Sequence, residues 1–147
     1  MTSQLNVDTI VDKAGSGGSN VKMANTSTYV SDGGAATQNT VQGLVKAWIN
    51  KPSNGASIND SFNISSLDDD GSGDFGVHYA NDFSSTNYCW SSGCDDAATT
   101  DAVTNMDSTN GGYTTGSTEF ETYYLTASQN RTNSDVYSFV SVVGDLA

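Results

Sequence analysis

Alternating apolar and polar residues are the main pattern along this chain, and they predict short β-strands. In the segment GDFGVHYAN, Phe75, Val77 and Tyr79 fall on one side of an extended chain, whereas His78 falls on the other. The preceding segment DDDGSGD combines glycines with acidic residues, which is typical of a hairpin loop. The pattern therefore predicts a half-buried strand that follows a tight turn.

A second alternating segment, INDSFNISSL, predicts the strand before that turn. Its apolar residues Ile58, Phe62 and Ile64 lie on one face, opposite asparagine and serine. Further strands are predicted around residues 88–90, 119–126 and 135–143. Because short strands at a spacing of roughly ten residues are typical of a β-sandwich or jelly roll, we expect one all-β knob domain over residues 41–147.

Two of the predicted strands carry apolar side chains on both faces. In VQGLVKAWIN, Val45 and Ile49 oppose Leu44 and Trp48, and residues 136–143 have a similar pattern. Such a strand is buried on both sides. Either it lies inside a two-layer monomer, or one face packs on the core and the other on neighbouring subunits, as in a homotrimer.

The N-terminal residues 1–24 are predicted to form an extended attachment arm. Its alternating segment contains the apolar residues Leu5, Val7, Ile10 and Val11. A strand this short needs a sheet edge that another surface supplies, since it gains nothing over water alone. The segment AGSGGSN then has the composition of a flexible spacer, and residues 25–40 continue as a polar linker. A disordered terminus is the alternative.

Charge and hydropathy narrow the possible partners. The chain has 17 acidic and 5 basic residues, which give a formal net charge of −12 at pH 7. Because such a surface repels phosphate backbones, we expect no nucleic-acid partner. No apolar run approaches the ~20 residues of a membrane-spanning helix, and the N-terminus lacks a secretory signal, so we expect no membrane partner.

No group of residues in the sequence predicts a catalytic site. His78 is the only histidine, and no residue near it in sequence is an obvious partner for acid–base chemistry. Ser84 lies outside any Gly-x-Ser-x-Gly motif. A calcium loop that starts at Asp68 would end on Tyr79, where a bidentate carboxylate is required. We therefore expect no enzymatic activity and no cofactor, with weak calcium binding and a glycosidase carboxylate pair as alternatives.

The segment CWSSGC and the polar stretch after it leave several alternatives open. Cys89 and Cys94 are close enough in sequence for a small loop disulfide, and free thiols are the alternative. The following small, polar residues are predicted to form a surface excursion, with a short helical turn at residues 97–106.

Exposed aromatic residues are the predicted contact points for an uncharged sugar or a protein partner. Most of the aromatic side chains are expected in the core. The possible surface-contact residues are Trp90, Tyr88 and Tyr113, with Trp90 in its predicted loop as the first choice.

Several segments resemble fibre and appendage proteins of tailed bacteriophages, especially marine ones. These segments are LNVDTIVDKAGSGG, DSFNISSLDDDGSGDFGVHYAN, NYCW and VYSFVSVVGD. The resemblance implies a virion protein, commonly trimeric, whose N-terminal arm attaches to the particle and whose β-rich part is displayed outward. It is absent over roughly residues 91–116, and the chain lacks a long shaft.

These observations predict a non-enzymatic virion structural protein whose arm attaches to capsid or tail proteins. A fully extended chain reaches only about 3.3 Å per residue, so residues 14–40 would span a gap but would not build a rigid shaft. Capsid decoration with a short knob or head fibre is therefore favoured over a tail-associated fibre or receptor-binding protein. The displayed domain would contact the host surface, with a surface glycan as one partner. A carbohydrate-binding module and a glycan-degrading enzyme are further alternatives.

Overall fold

The structure of the protein is a computed structural model that describes residues 28–30, 37–40, 43–95, 102–106 and 111–146. It confirms the predicted all-β class, because these residues form strands, turns and bends and none of them is helical. The chain divides into two compact units, Met1–Val41 and Gln42–Ala147. The strands are β1 (Thr28–Val30), β2 (Thr37–Asn39), β3 (Val45–Lys51), β4 (Asp60–Phe62), β5 (Ile64–Gly71), β6 (Asp74–Tyr79), β7 (Cys89–Asp95), β8 (Ala102–Met106), β9 (Ser117–Leu125), β10 (Arg131–Asn133) and β11 (Tyr137–Val143).

The first unit contains a small hairpin within the predicted polar linker. Strands β1 and β2 pair antiparallel, with Thr28 opposite Asn39 and Val30 opposite Thr37. The residues predicted for the attachment arm lie outside the described residues; they are Leu5, Val7, Ile10 and Val11. The arm therefore stays a prediction from the sequence.

The second unit consists of two antiparallel sheets. The four-stranded sheet has the order β4-β3-β11-β7, so β3 and β11 are its central strands. The five-stranded sheet has the order β10-β9-β6-β5, and β8 pairs with β9 in addition. Side chains from both sheets form one buried cluster, in which the rings of Phe75 and Phe120 stack at 5.6 Å. Two antiparallel sheets around one core are consistent with the predicted β-sandwich.

The hairpin of β5 and β6 confirms the predicted faces of β6, but the predicted loop DDDGSGD is mostly strand, because β5 continues to Gly71 and β6 begins at Asp74. Phe75, Val77 and Tyr79 are all buried on the core side of β6, as the alternation required. The tight turn between the strands includes Gly73, whose φ of 73° lies in the left-handed region that glycine tolerates. A Cβ on Gly73 would also lie 2.3 Å from a backbone oxygen of β9, so only glycine fits there.

The prediction of one continuous strand over INDSFNISSL is wrong, because the chain changes sheets at Asn63. Asn63 has a φ of 58°, a conformation that asparagine adopts more readily than most residues. Its Oδ1 accepts a hydrogen bond from the Asn81 backbone N–H at 2.7 Å, which holds this corner. As a result Phe62 in β4 is 52% exposed, whereas Ile64 in β5 packs against the core.

The predicted loop CWSSGC is strand β7, and this excludes a disulfide between its two cysteines. Cys89 and Cys94 are both free. Five residue steps of an extended strand separate their Cα atoms by about 16 Å, whereas a disulfide requires about 4.4–6.8 Å. Of the two alternatives, the structure therefore contains free thiols.

The predicted helical turn at residues 97–106 is wrong in its described part, since Ala102–Met106 forms β8. The β-branched residues Val103 and Thr104 favour an extended chain, and pairing with β9 satisfies the backbone hydrogen bonds of both strands. The Thr104 carbonyl also accepts a hydrogen bond from Ser92 Oγ at 3.0 Å, which links β8 to β7 of the other sheet. Residues 96–101 lie outside the described part of the chain.

Candidate functional site

The outer face of the four-stranded sheet carries aromatic side chains that the core does not use. In β3, Ala47 and Ile49 face the core and are buried, so Trp48 between them faces away and is only half-buried. In β11, Val140 is buried and the adjacent Phe139 is 44% exposed. We call this surface the aromatic face; its rings are Trp48, Phe62, Tyr137 and Phe139.

Strand register alternates rings with small polar residues across the aromatic face. In order from β4 to β7, one row consists of Phe62, Trp48, Ser141 and Ser91. The next row, in the same order, consists of Asp60, Asn50, Phe139 and Gly93. Trp48 on β3 and Phe139 on β11 are therefore diagonal neighbours on adjacent strands. The β7 positions of the two rows are the small residues Ser91 and Gly93.

A shallow groove of about 450 Å³ lies on this face. Trp48 and Phe139 line it from the central strands, and Ser91 and Gly93 line it from β7. A Cβ placed on Gly93 would meet no other atom within 4 Å, so the glycine opens space that no neighbour fills. The groove thus depends on the absence of a side chain at this one position of β7.

The groove presents hydrogen-bonding groups that rigid strands hold in place. The Ser91 and Ser141 hydroxyl oxygens lie 2.8 Å apart, so one donates to the other and one hydroxyl hydrogen remains for a further acceptor. Asn59 Nδ2 donates to Asn50 Oδ1 at 3.1 Å, which orients the Asn50 amide and leaves its Nδ2 hydrogens as donors. Rings and polar groups therefore lie side by side in one groove.

Among the residues that the structure describes, no ionisable side chain lines the groove, although the whole chain has a formal net charge of −12. The acid nearest in register is Asp60, at the β4 edge, where its Oδ1 accepts a hydrogen bond from the Ser61 backbone N–H at 2.8 Å. A ligand in the groove would therefore make uncharged contacts, with one carboxylate at the β4 edge of the face.

The outer face of the five-stranded sheet carries several ionisable side chains. His78 Nε2 lies 2.6 Å from Asp68 Oδ2 across the hairpin, a partner that sequence spacing alone did not identify. Glu119 lies across Gly76, where an added Cβ would be 2.7 Å from Glu119 Oε2. Burial, followed by the nearby Asp70 carboxylate, raises the pKa of Glu119 above its ordinary value. Within the described residues, no group of three or more His, Cys, Asp or Glu side chains is arranged to hold a metal ion.

The surface-contact residues predicted from the sequence lie in two different places. Tyr88 and Tyr113 come together edge to face, with ring centroids 5.8 Å apart. Tyr113 is exposed, whereas the partly buried Tyr88 donates a hydrogen bond to the Thr114 carbonyl at 2.9 Å. Trp90 is partly buried and packs against the core, edge-on to Phe120 at 5.5 Å. Trp90 lies in a strand with its ring toward the core, so the structure offers no loop platform at this position.

A second cavity of about 480 Å³ adjoins Tyr88. Its lining includes Ser85, Asn87, Cys89, Val143 and Asp145. Gly144 also lines it and permits close packing, since a Cβ there would lie 2.7 Å from the Tyr88 Cβ. The Tyr88 hydroxyl beside this cavity is already bonded within the domain, to the Thr114 carbonyl and the Thr118 hydroxyl.

Sequence reasoning missed the residues that line the groove, although the sequence contained a signal for them. In VKAWINK, the side of the strand that carries Trp48 also carries the polar Asn50. Polar residues on the same side as a tryptophan indicate a surface that faces water. The corresponding signal in YSFVSVV is Ser141, which follows Phe139 on the same side of β11.

Comparison with known proteins identifies no relatives: no protein-family model, curated protein or solved structure matches this chain. In the part of the chain that the structure describes, no helix is long and apolar enough to cross a membrane.

Proposed function

We propose that the protein is a non-enzymatic structural component of a bacteriophage virion. Its N-terminal arm attaches to capsid or tail proteins, and its β-domain is displayed outward, where it contacts the host surface. The observation that carries the contact role is the groove on the aromatic face, because it combines exposed rings with polar groups outside the core. The resemblance to fibre and appendage proteins supplies the virion context.

The chemistry of the groove supports a binding role rather than catalysis. General acid–base catalysis needs an ionisable group within hydrogen-bond reach of the reacting atoms, and no such side chain lines the groove. The Asp68–His78 pair lies on the other sheet, and both side chains are well exposed to solvent. Neither surface combines a binding groove with an acid–base pair.

The proposal includes assembly as a homotrimer. Leu44 is 61% exposed and Val45 beside it is also exposed, where the chain enters β3. Burial of aliphatic side chains between subunits gains about 25 cal/mol for each Å² of apolar surface. These two residues are therefore the aliphatic side chains that we place in subunit contacts.

Capsid decoration is the favoured placement, and a tail-associated fibre or receptor-binding protein is the alternative. In the described part of the chain no segment would build a long shaft, which favours a knob close to its attachment point. A strongly acidic surface also suits a protein displayed in many copies, since like charges discourage particles from aggregating.

Quantitative mass spectrometry of purified particles of a phage that encodes this chain tests the proposal. A copy number in the hundreds per particle is expected for capsid decoration. A few copies, in multiples of three or six, would instead support the tail-associated alternative. Absence of the protein from purified particles would overturn the virion assignment.

A further inference from the structure

We propose that the groove on the aromatic face binds a neutral sugar ring, such as a hexose unit of an uncharged surface polysaccharide. The inference rests on the proposed host-surface role and deepens it by naming the class of ligand. The main observation is that Trp48, Phe139 and Asn50 line the groove beside the open space at Gly93.

The aromatic rings match the apolar faces of a pyranose. A sugar ring presents C–H groups on its faces and hydroxyls around its rim, so an aromatic side chain stacks on the face and leaves the rim to polar groups. Trp48 and Phe139 provide two such rings on neighbouring strands. The groove volume of about 450 Å³ lies within the range of roughly 300–1,000 Å³ found for small-molecule sites.

The polar groups of the groove match the hydroxyl rim of the sugar. The Asn50 Nδ2 hydrogens are donors, and the Ser91–Ser141 pair retains one hydroxyl hydrogen together with unused lone pairs. A sugar hydroxyl both donates and accepts, so it satisfies either kind of group. Because these side chains stand on strands rather than loops, little order has to be gained on binding.

The charge distribution selects against anionic sugars. None of the side chains that line the groove is ionisable, and the chain as a whole has a formal net charge of −12. A uronic acid or a sialic acid would approach a field of its own sign and would find no basic side chain in the groove. A neutral hexose has no such cost.

A second copy of the chain is a poorer occupant of the groove than a sugar. A flat protein contact would remove water from the Asn50 amide and the serine hydroxyls without pairing each of them, and an unpaired buried polar group costs about 1–3 kcal/mol. Asp60 at the β4 edge and Asp95 at the β7 edge also place negative charge on both sides of such a contact.

Isothermal titration calorimetry on the full chain tests the proposal with a panel of defined probes. The neutral probes are maltohexaose, cellohexaose and mannohexaose, and the anionic probe is a hexamer of galacturonic acid. We expect at least one neutral probe to bind and the anionic probe not to bind. Trp48→Ala removes a stacking ring and should weaken that binding about tenfold or more, the equivalent of ~1.4 kcal/mol.

Gly93→Val is the second variant, and it keeps the test valid even if Trp48→Ala impairs folding. Valine favours strands, and a Cβ at this position meets no atom within 4 Å, so the variant should fold while its side chain fills the groove. Leu125→Ser is the control, because Leu125 is a 47% exposed apolar residue that lies in β9 of the other sheet. We expect Gly93→Val to abolish binding and Leu125→Ser to leave it unchanged.

The proposal is overturned if no neutral probe binds, if Gly93→Val binds as tightly as the natural chain, or if only the anionic hexamer binds. It is also overturned if Gly93→Val changes the oligomeric state of the free protein in solution, since a second copy of the chain would then occupy the groove. The copy number of the protein in virions is measured independently, so failure of sugar binding is distinguishable from failure of the virion assignment.

Discussion

Phe139 and Gly93 lie directly opposite each other on β11 and β7, so a large exposed ring faces a position without a side chain. A glycine inside a strand normally weakens it, because it packs nothing and loses more chain entropy on folding. No steric contact requires glycine here, since an added Cβ meets open space. The open groove is therefore the structural consequence of keeping this residue small.

Gly93→Val should raise the stability of the domain or leave it unchanged. The added side chain packs beside Phe139 and reduces the freedom of the unfolded chain, an effect of about 0.5–1 kcal/mol. Urea unfolding followed by tryptophan fluorescence measures this change. A loss of more than about 1 kcal/mol would show that the space beside Phe139 is filled.

Glu119→Gln should stabilise the domain at neutral pH and reduce its dependence on pH. Burial and neighbouring acids raise the pKa of Glu119 in the folded state, so folding is favoured by its protonated form. The contribution of Glu119 to the free energy of unfolding is therefore fully present at pH values below its ordinary pKa of 4.5. It is lost as the pH rises through the raised pKa of the folded state. Unfolding curves between pH 4 and 7 should show this decline in the natural chain and a weaker decline in the variant. Identical curves for the two proteins would contradict this account of Glu119.

Both cysteines should react as free thiols without prior reduction. Cys89 is exposed and Cys94 is partly exposed on the edge strand β7, so a thiol reagent should modify Cys89 first. Intact-mass measurement after labelling of the unreduced, unfolded chain should show two labels per chain. If the unreduced chain takes up no label because its two cysteines form a disulfide, β7 is not an extended strand.

The body, residues 41–147, should form a homotrimer in solution. Light scattering at micromolar concentration should report three chains. Leu44→Ser removes a 61% exposed aliphatic side chain and should shift the equilibrium toward monomers, whereas Leu125→Ser should not. A monomer of the natural body at this concentration would contradict the proposed homotrimer.

The arm should be required for attachment and dispensable for folding. Deletion of residues 1–18 should leave the thermal unfolding of the body unchanged, because residues 42–147 form a compact unit of their own. Val7→Asp should reduce incorporation into particles in a graded way, since an unpaired carboxylate buried in an interface costs several kcal/mol. Full copy number of the truncated chain in particles would show that the arm is not the anchor.

Local alternation was sufficient to predict the strands whose faces differ clearly in polarity. It placed Phe75, Val77 and Tyr79 on the buried side of β6 because a single register satisfied the whole segment. It failed at Asn63, since the corner there depends on a hydrogen bond to Asn81, eighteen positions later in the chain. Contacts of that kind are not visible in a local pattern.

The groove escaped sequence prediction for a related reason. The sequence marked Trp48 as one of several apolar residues on a strand with two apolar faces. The packing of the other sheet against Ala47 and Ile49 leaves the face of Trp48 toward water, and the polar Asn50 on the same side was the only local sign of it. Trp90 illustrates the opposite error. The polar composition of CWSSGC suggested a loop, whereas pairing with β11 turns the segment into a strand with Trp90 against the core.

Immunoelectron microscopy of intact particles is the most direct test of the central claim that this chain is displayed on a virion. An antibody raised against residues 41–147 should label the surface of the particle, with many gold grains on each head if the protein decorates the capsid. Labelling confined to the tail would move the protein to the tail-associated alternative. Intact particles that carry no label, from a phage that expresses the protein, would contradict the claim.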